Sequence, residues 1–319
     1  MNCIFGQKAV DNYVFFNVDR HRIKETSFLE SKAFLGAQLK YTWPQLESEK
    51  DVYHFDLIQN DLDFLKSKGK GLFIQIQDVS FDTTIINVPQ YILDDPIYNG
   101  GAELHMGRND EGTAYNIEGL VARRWDNEVA NRFHILLKRL GEKFDGKIIG
   151  INLPETSVGF GTPDMYPLGY SNEAYMTAIK RNMAVLKDAF PNSVVIQYAN
   201  FIPGDKFPLG EDSYLENIYK YANEIKVGMG GPDIKVYKWW PMQHSYKYIS
   251  QSRGKIPLGV AVQWGNHQVI NPKTKKQVTV EEIYKFARDE LGLDFIFWST
   301  QEPFYTERVI PFLESSISE

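Results

Sequence analysis

Short apolar runs alternate with longer amphipathic stretches along this chain, and the alternation predicts strands and helices in turn. Most of the short runs are apolar at consecutive positions instead of at every second one. That pattern is typical of strands that are buried on both faces, as in a parallel sheet covered by helices. We predict eight strands, at residues 13–18, 34–39, 71–77, 147–153, 193–198, 226–230, 256–263 and 294–298.

The stretches between the strands have helical spacing and helix-capping residues. Apolar residues recur at Ile58, Leu62 and Leu65 ahead of the stop signal Gly69. Later helices are predicted to begin after Asp126, after Ser171, near Leu215, and at a capping box formed by Thr279 and Glu282.

Eight strands separated by helices predict an α/β fold, a single (β/α)8 TIM barrel that takes in residues 1–319 as one catalytic-type domain. The length of 319 residues is compatible with a single domain, because such barrels commonly reach roughly 250 residues or more as one unit. The alternative is an open doubly wound sheet, which would favour a glycine-rich phosphate turn after the first strand. Val18-Asp19-Arg20-His21 is not such a turn.

The connection from residue 78 to residue 124 is far longer than the usual loop of roughly 4–6 residues, and it is rich in Gly, Asn, Asp and Pro. Loops of this length are usually functional or disordered. In a barrel, this one follows the third strand at the catalytic end. We therefore expect it to form one wall of a cleft.

Charge and composition exclude several classes of protein. Asp and Glu number 41 against 35 Lys and Arg, a formal net charge of −6, which argues against nucleic acid as a partner. Cys3 is the only cysteine, and the six histidines show no paired spacing, so we expect neither a metal site nor a cofactor.

The sequence contains no apolar run that approaches the roughly 18 residues of a membrane span, and the N-terminus lacks the pattern of a signal peptide. We therefore expect a soluble protein with no membrane partner. Its compartment stays open, because a removed signal peptide would imply secretion or a periplasmic location, whereas otherwise the location would be cytoplasmic.

Carboxylates, amides and aromatic residues are concentrated at the predicted C-terminal ends of the strands, where barrel enzymes have their active sites. Carboxylates and amides bind sugar hydroxyls, and aromatic rings stack on the apolar face of a pyranose. We expect an oligosaccharide or polysaccharide to bind there, with Trp43, Tyr198, Trp264 and Trp298 as stacking platforms. Other expected contacts are Lys40, Gln77, Asp78, Asn152, His244 and Glu302, and residues 237–244 are expected to form a cleft wall.

Glu155 follows the fourth strand directly after Pro154, a residue that stiffens the turn. A carboxyl group there is a candidate general acid if its surroundings raise its pKa, although an exposed loop glutamate is the alternative. Glycoside hydrolysis also needs a second carboxylate across the scissile bond. The end of the seventh strand offers the amide Gln263 instead.

The stretch Trp43-Pro44-Gln45-Leu46-Glu47, followed by Tyr53-His54-Phe55-Asp56, resembles a passage of clan A glycoside hydrolases, and the order of elements matches over nearly the whole chain. The resemblance implies a barrel that hydrolyses glycosides with retention of configuration. It assigns Glu155 to the acid/base position, Gln263 to the nucleophile position and Trp298 to the floor of the sugar site. In this chain Asn152 lies three residues before Glu155, whereas the clan usually has Asn immediately before the acid/base.

Gln263 leaves three explanations open: a Glu→Gln change that inactivates the enzyme, an enzyme that uses another carboxylate, or a non-catalytic carbohydrate-binding barrel. Asp233 is the best alternative base and would give an inverting hydrolase. Asp78 and Glu302 are the next candidates for that base. A turn residue in the Gly-Gly-Pro-Asp bend is the competing interpretation of Asp233. A barrel lyase or isomerase with Glu155 as its base is a further alternative.

Overall fold

The structure, a computed structural model, describes residues 9–108, 114–205, 209–210, 212–238, 242 and 244–316. Eight parallel strands close into a barrel, which confirms the predicted fold class. The strands are β1 (Asp11–Phe15), β2 (Gly36–Thr42), β3 (Gly71–Gln77), β4 (Gly150–Leu153), β5 (Val194–Tyr198), β6 (Gly228–Gly231), β7 (Leu258–Val262) and β8 (Phe295–Ser299).

Each strand pairs with its neighbours in sequence, and β8 closes the barrel against β1 with Asp11 opposite Phe295 and Phe15 opposite Ser299. Every predicted strand overlaps an observed one, and their ends differ by up to three residues. The agreement follows from burial on both faces, which made the apolar runs continuous and easy to recognise.

Helices cover the outside of the barrel, and several begin where the capping residues predict. Asp126 accepts hydrogen bonds from the backbone N–H groups of Glu128 and Val129, and the capping box of Thr279 and Glu282 is formed. The α-helices described are Thr26–Leu29, Trp43–Leu46, Asp56–Ser67, Gln90–Asp94, Asn127–Phe144, Asn172–Ala189, Tyr214–Ile225, Ser245–Gln251, Val280–Lys285 and Ile310–Ser315. Short 3-10 and π turns lie at Arg20–Lys24, Pro96–Tyr98, Pro163–Met165, Asn266–Gln268, Phe286–Leu291 and Tyr305–Val309.

The barrel interior contains a cluster of aromatic side chains from β1, β3, β5 and β8. The ring of Phe73 lies 5.2 Å from that of Tyr13, 5.3 Å from that of Phe295 and 5.0 Å from that of Phe297, measured between centroids. These rings belong to a cluster separate from the main hydrophobic core. The main core contains the outward-facing strand residues and the helices that cover them.

The long segment after β3 contains an antiparallel hairpin of Ala102–Arg108 and Tyr115–Ala122, which the sequence pattern did not predict. Its strands mix polar with apolar residues and are partly exposed, so they lack the continuous apolar run of a barrel strand. The hairpin pairs with the residues that directly follow β3, where the backbone N–H of Ser80 donates to the carbonyl of Leu120 and Val79 bridges to Val121. The segment is thereby placed beside the C-terminal end of β3.

Candidate active site

A cavity of about 670 Å³ opens at the C-terminal end of the barrel. Side chains from β2, β3, β5 and the turns after β4 and β7 form its floor, and residues between Val79 and Asn87 line one side. The prediction that the segment after β3 forms a cleft wall is therefore confirmed for this part of it. Residues 109–113 lie outside the described residues.

Glu155 lines this cavity, held in place by the turn that begins with Pro154. Its Oε2 accepts a hydrogen bond of 2.7 Å from Nδ2 of Asn200. Burial is the main cause that raises the pKa of Glu155 to about 7, and the negative charges of Asp233 and Glu118 act in the same direction. A carboxyl group with this pKa can hold a proton near neutral pH and deliver it to a substrate oxygen.

Lys40, on β2, also lines the cavity. Burial lowers the pKa of its ammonium to about 8, while the nearby Glu155 acts to raise it. Its Nζ lies 5.2 Å from the centroid of the Phe15 ring. Lys40 and Glu155 thus line the same partly desolvated space and influence each other electrostatically.

Gln263 lines the cavity from the end of β7, and Asp233 lies behind it. The backbone N–H of Gln263 donates to Oδ1 of Asn266 at 3.1 Å, and Nδ2 of Asn266 donates to Oδ1 of Asp233 at 2.7 Å. The other oxygen of Asp233 is 3.1 Å from Nζ of Lys235. Asp233 lines a separate cavity of about 110 Å³. Its effect on Glu155 is electrostatic, because the negative charge of its carboxylate raises the pKa of Glu155.

Gln77 and Tyr198 line the cavity, while Asn152 lies buried in the barrel below it. Nε2 of Gln38 donates to Oδ1 of Asn152 at 2.9 Å and to the hydroxyl of Tyr198 at 3.2 Å. These buried hydrogen bonds orient the hydroxyl of Tyr198, whose ring belongs to the lumen cluster. The structure therefore brings Lys40, Gln77, Glu155, Tyr198 and Gln263 together, as the sequence predicted.

Two of the four predicted stacking platforms are buried instead. Trp43 has no exposed surface, packs on Phe133 at 5.0 Å, and donates its indole N–H to the buried Glu47. Trp298 is also fully buried, in the main core, and donates to Oδ1 of Asn12. Because side chains alternate along β8, Trp298 points away from the lumen occupied by Phe297. The prediction of both residues as sugar platforms is wrong.

Asp78 and Glu302 were predicted to contact substrate, but neither lines the cavity, and both form ion pairs with arginines. Both oxygens of Asp78 accept hydrogen bonds from Arg124, at 2.6 and 2.8 Å, in the buried layer behind the barrel. Glu302 lies at the surface, where Arg22 and Thr306 hold its carboxylate. One step along a strand reverses the face a side chain occupies, so residue type at a strand end does not predict which one enters the cavity.

The remaining predicted contacts differ in position. His244 is buried beside Phe201, with 4.4 Å between ring centroids, and does not line the cavity. Trp264 follows Gln263 directly and is 63% exposed, and its role as a platform stays a prediction. Of the predicted cleft wall at 237–244, residues 239–241 and 243 lie outside the described residues.

Sequence reasoning missed two acidic residues near this site. Glu118, on the hairpin, contributes negative charge at Glu155. Asp82 lines the cavity, and its pKa is lowered because the side chain and backbone N–H of Thr84 donate to it. Both residues lie in the segment from 78 to 124. The length of that segment indicated a functional loop, but nothing in the sequence distinguished these two acidic residues from the others in it.

Within the described residues, no group of three or more His, Cys, Asp or Glu side chains is arranged to hold a metal ion. In the same part of the chain, no helix combines the length and apolar character needed to cross a bilayer.

No protein-family model matches the sequence, and no curated protein matches it at a significant level. Solved structures match over nearly the whole chain. The catalytic domain of a β-amylase from Paenibacillus polymyxa has a TM-score of 0.58 at 9% identity and covers 91% of this chain and 93% of its own. Xylanase 10B from Thermotoga petrophila RKU-1, solved with xylobiose, has a TM-score of 0.52 at 12% identity and covers 91% and 82%.

A β-galactosidase from Bacillus circulans sp. alkalophilus is likewise similar in fold, with a TM-score of 0.58 at 11% identity, and covers 92% of this chain and 50% of its own. These structures confirm, at the level of the fold, the barrel that the resemblance to clan A glycoside hydrolases implied. At 9–12% identity, the likeness extends to the fold alone.

Proposed function

We propose that this chain is one barrel domain that binds a glycoside in the cavity, and that Glu155 protonates the glycosidic oxygen during hydrolysis. The observation that carries the proposal is the position of Glu155 at the end of β4, partly buried in the cavity with a pKa of about 7. A protonated carboxyl group there suits general acid catalysis. The similarity in fold to a β-amylase, a xylanase and a β-galactosidase supports a sugar substrate.

In the retaining scheme, the proton of Glu155 passes to the glycosidic oxygen as the bond from that oxygen to the anomeric carbon breaks. A carboxylate attacks the opposite face of the sugar, and water later displaces it. Gln263 lines the cavity at the position that the resemblance gives to this nucleophile. An amide cannot supply the negative charge, so we expect the chain as written to bind a glycoside with very slow turnover.

Hydrolysis of 4-nitrophenyl glycosides tests this proposal. We expect Gln263→Glu to raise the rate by orders of magnitude, and the added change Glu155→Gln to remove the gain. Gln77→Glu is the matched control, because it introduces the same carboxylate into the same cavity from β3. Equal gains from Gln263→Glu and Gln77→Glu would contradict a specific nucleophile position.

The inverting alternative has its own observation, since Asp233 acts electrostatically on Glu155. If the unmodified chain already hydrolyses a glycoside and Asp233→Asn abolishes the activity, Asp233 is the base and the retaining scheme is wrong. If neither the chain nor Gln263→Glu hydrolyses any glycoside that it binds, the protein is a carbohydrate-binding barrel instead.

A further inference from the structure

The cavity has a polar floor, and four exposed apolar side chains, which we call the rim, line it beside polar residues such as Arg20 and Asp82. Lys40, Gln77, Glu155 and Gln263 provide hydrogen-bonding groups at the level of the strand ends. In the same cavity, side chains from three consecutive sectors of the barrel expose apolar surface. These are Val18 after β1, Leu57 on the helix after β2, and Phe81 and Ile85 after β3.

Large apolar side chains of the rim are left in contact with water. Phe81 is 49% exposed and Ile85 is 47% exposed, and both face the cavity that contains Glu155. Apolar surface that borders a polar site in this way commonly marks a ligand-binding groove. Three of the four rim side chains are aliphatic and lack the flat ring that stacks on a pyranose. The rim therefore suits an apolar group better than another sugar unit.

The apolar surface continues past the cavity. A second groove shares Phe81 and Asp82 with it and extends to Ile117 and Glu118 on the hairpin. Ile117 is also exposed, so an apolar group bound at Phe81 has room to extend in this direction.

From this arrangement we infer that the rim formed by Val18, Leu57, Phe81 and Ile85 is an aglycone subsite, which selects glycosides whose leaving group is aryl or alkyl. The inference rests on the proposed function, since it assumes that the sugar lies on the polar floor. The scissile bond then lies between floor and rim, within reach of Glu155. Binding there removes the exposed apolar surface of both ligand and rim from water, and this burial favours the complex.

Binding of thioglycosides tests the subsite without hydrolysis, because their sulfur linkage resists cleavage. Phenyl and methyl 1-thioglycosides of glucose, galactose and xylose, in both anomers, are titrated into the unmodified chain by calorimetry. For at least one sugar we expect the phenyl compound to bind about tenfold more tightly than the methyl compound, because the ring buries additional apolar surface. Absence of any such preference, including absence of binding, overturns the inference.

Ile85 and Ile86 form a matched pair of variants. Ile86 is 45% exposed, almost as much as Ile85, but it does not line the cavity. We expect Ile85→Ser to reduce the preference for phenyl to about threefold or less, whereas Ile86→Ser leaves it unchanged. Since both side chains are exposed, neither change should unfold the protein, and circular dichroism checks this. An equal loss in both variants, or no loss in Ile85→Ser, contradicts the inference.

The outcome separates this inference from the proposed function. A preference for phenyl that depends on Ile85, together with no hydrolysis of 4-nitrophenyl glycosides by the chain or by Gln263→Glu, supports the subsite and refutes the hydrolase. Hydrolysis without the preference refutes the subsite and leaves the hydrolase standing. If sedimentation instead shows a dimer that Ile85→Ser dissociates, the rim is a contact between two copies and the aglycone assignment is wrong.

Discussion

The carboxyl group of Glu155 is surrounded by groups that move its pKa in opposite directions. Burial and the charges of Asp233 and Glu118 raise this pKa, whereas the hydrogen bond from Asn200 and the charge of Lys40 lower it. With a pKa of about 7, the proton needed for general acid catalysis is present below that pH and is lost as the pH rises through it.

Removal of the Asn200 amide should raise the pKa of Glu155 further, because this amide donates to Oε2 and so stabilises the ionised form. We expect the side-chain carbon signal of Glu155 to titrate at higher pH in Asn200→Ala than in the unmodified chain, as measured by NMR. Any alkaline fall in activity should shift in the same direction. Gln77→Ala is the control, since Gln77 lines the same cavity, whereas the hydrogen bond to Oε2 of Glu155 comes from Asn200. An unchanged titration in Asn200→Ala would show that the bond does not stabilise the carboxylate.

At the scale of secondary-structure elements, a buried ion pair joins the end of β3 to the start of the helix Asn127–Phe144. Arg124 donates to both oxygens of Asp78, at 2.6 and 2.8 Å, and to the hydroxyl of Tyr175 at 2.7 Å. The pair holds the two ends of the segment from 78 to 124 together. The ion pair therefore fixes the position of Asp78, the residue that directly precedes the cavity wall from Val79 to Asn87.

Arg124→Met should destabilise the fold by about 3–5 kcal/mol, because it leaves the carboxylate of Asp78 buried without a partner. The double change Asp78→Leu with Arg124→Met should cost less, since it removes both charges. Urea denaturation measures both effects. Arg139→Met is the control, because Arg139 pairs with Glu142 at the exposed surface, where solvent screens the pair and its loss should change the stability little. Similar losses for Arg124 and Arg139 would argue against a structural role for the buried pair.

At the scale of the whole molecule, the aromatic cluster in the lumen connects strands that are far apart in the sequence. Phe73 on β3 contacts Tyr13 on β1 and both Phe295 and Phe297 on β8. These contacts cross the barrel at the place where its first and last strands pair. We therefore expect the barrel to unfold as one unit, consistent with the proposed single domain.

Phe73→Ala should lower the free energy of unfolding by about 3–5 kcal/mol, because it leaves a cavity in a packed interior. Denaturation should remain a single transition. Phe81→Ala removes the same atoms from a ring that is half exposed, and it should change the stability by no more than about 0.5 kcal/mol. Two separate transitions would contradict cooperative unfolding, and equal effects of Phe73→Ala and Phe81→Ala would contradict the importance of the lumen cluster.

The sequence by itself determined the barrel and most of its elements. Runs such as 258–262 are apolar because their strands are buried on both faces, and helix starts such as Asp126 depend on local capping. These signals lie within a few residues of one another. The same kind of signal placed Glu155 and Gln263 at strand ends, and the structure places both at the cavity.

Only the tertiary structure decided which strand-end residues enter the cavity. Trp298 and Asp78 were predicted to contact sugar, yet each faces the layer between barrel and helices, because alternate positions along a strand face opposite sides. The charge of Glu118 and the apolar rim at Phe81 and Ile85 reach the site through the folding of the long segment over the barrel. These residues come from distant parts of the chain and meet only in the folded protein. A local pattern of hydrophobic and polar positions therefore cannot predict that they meet.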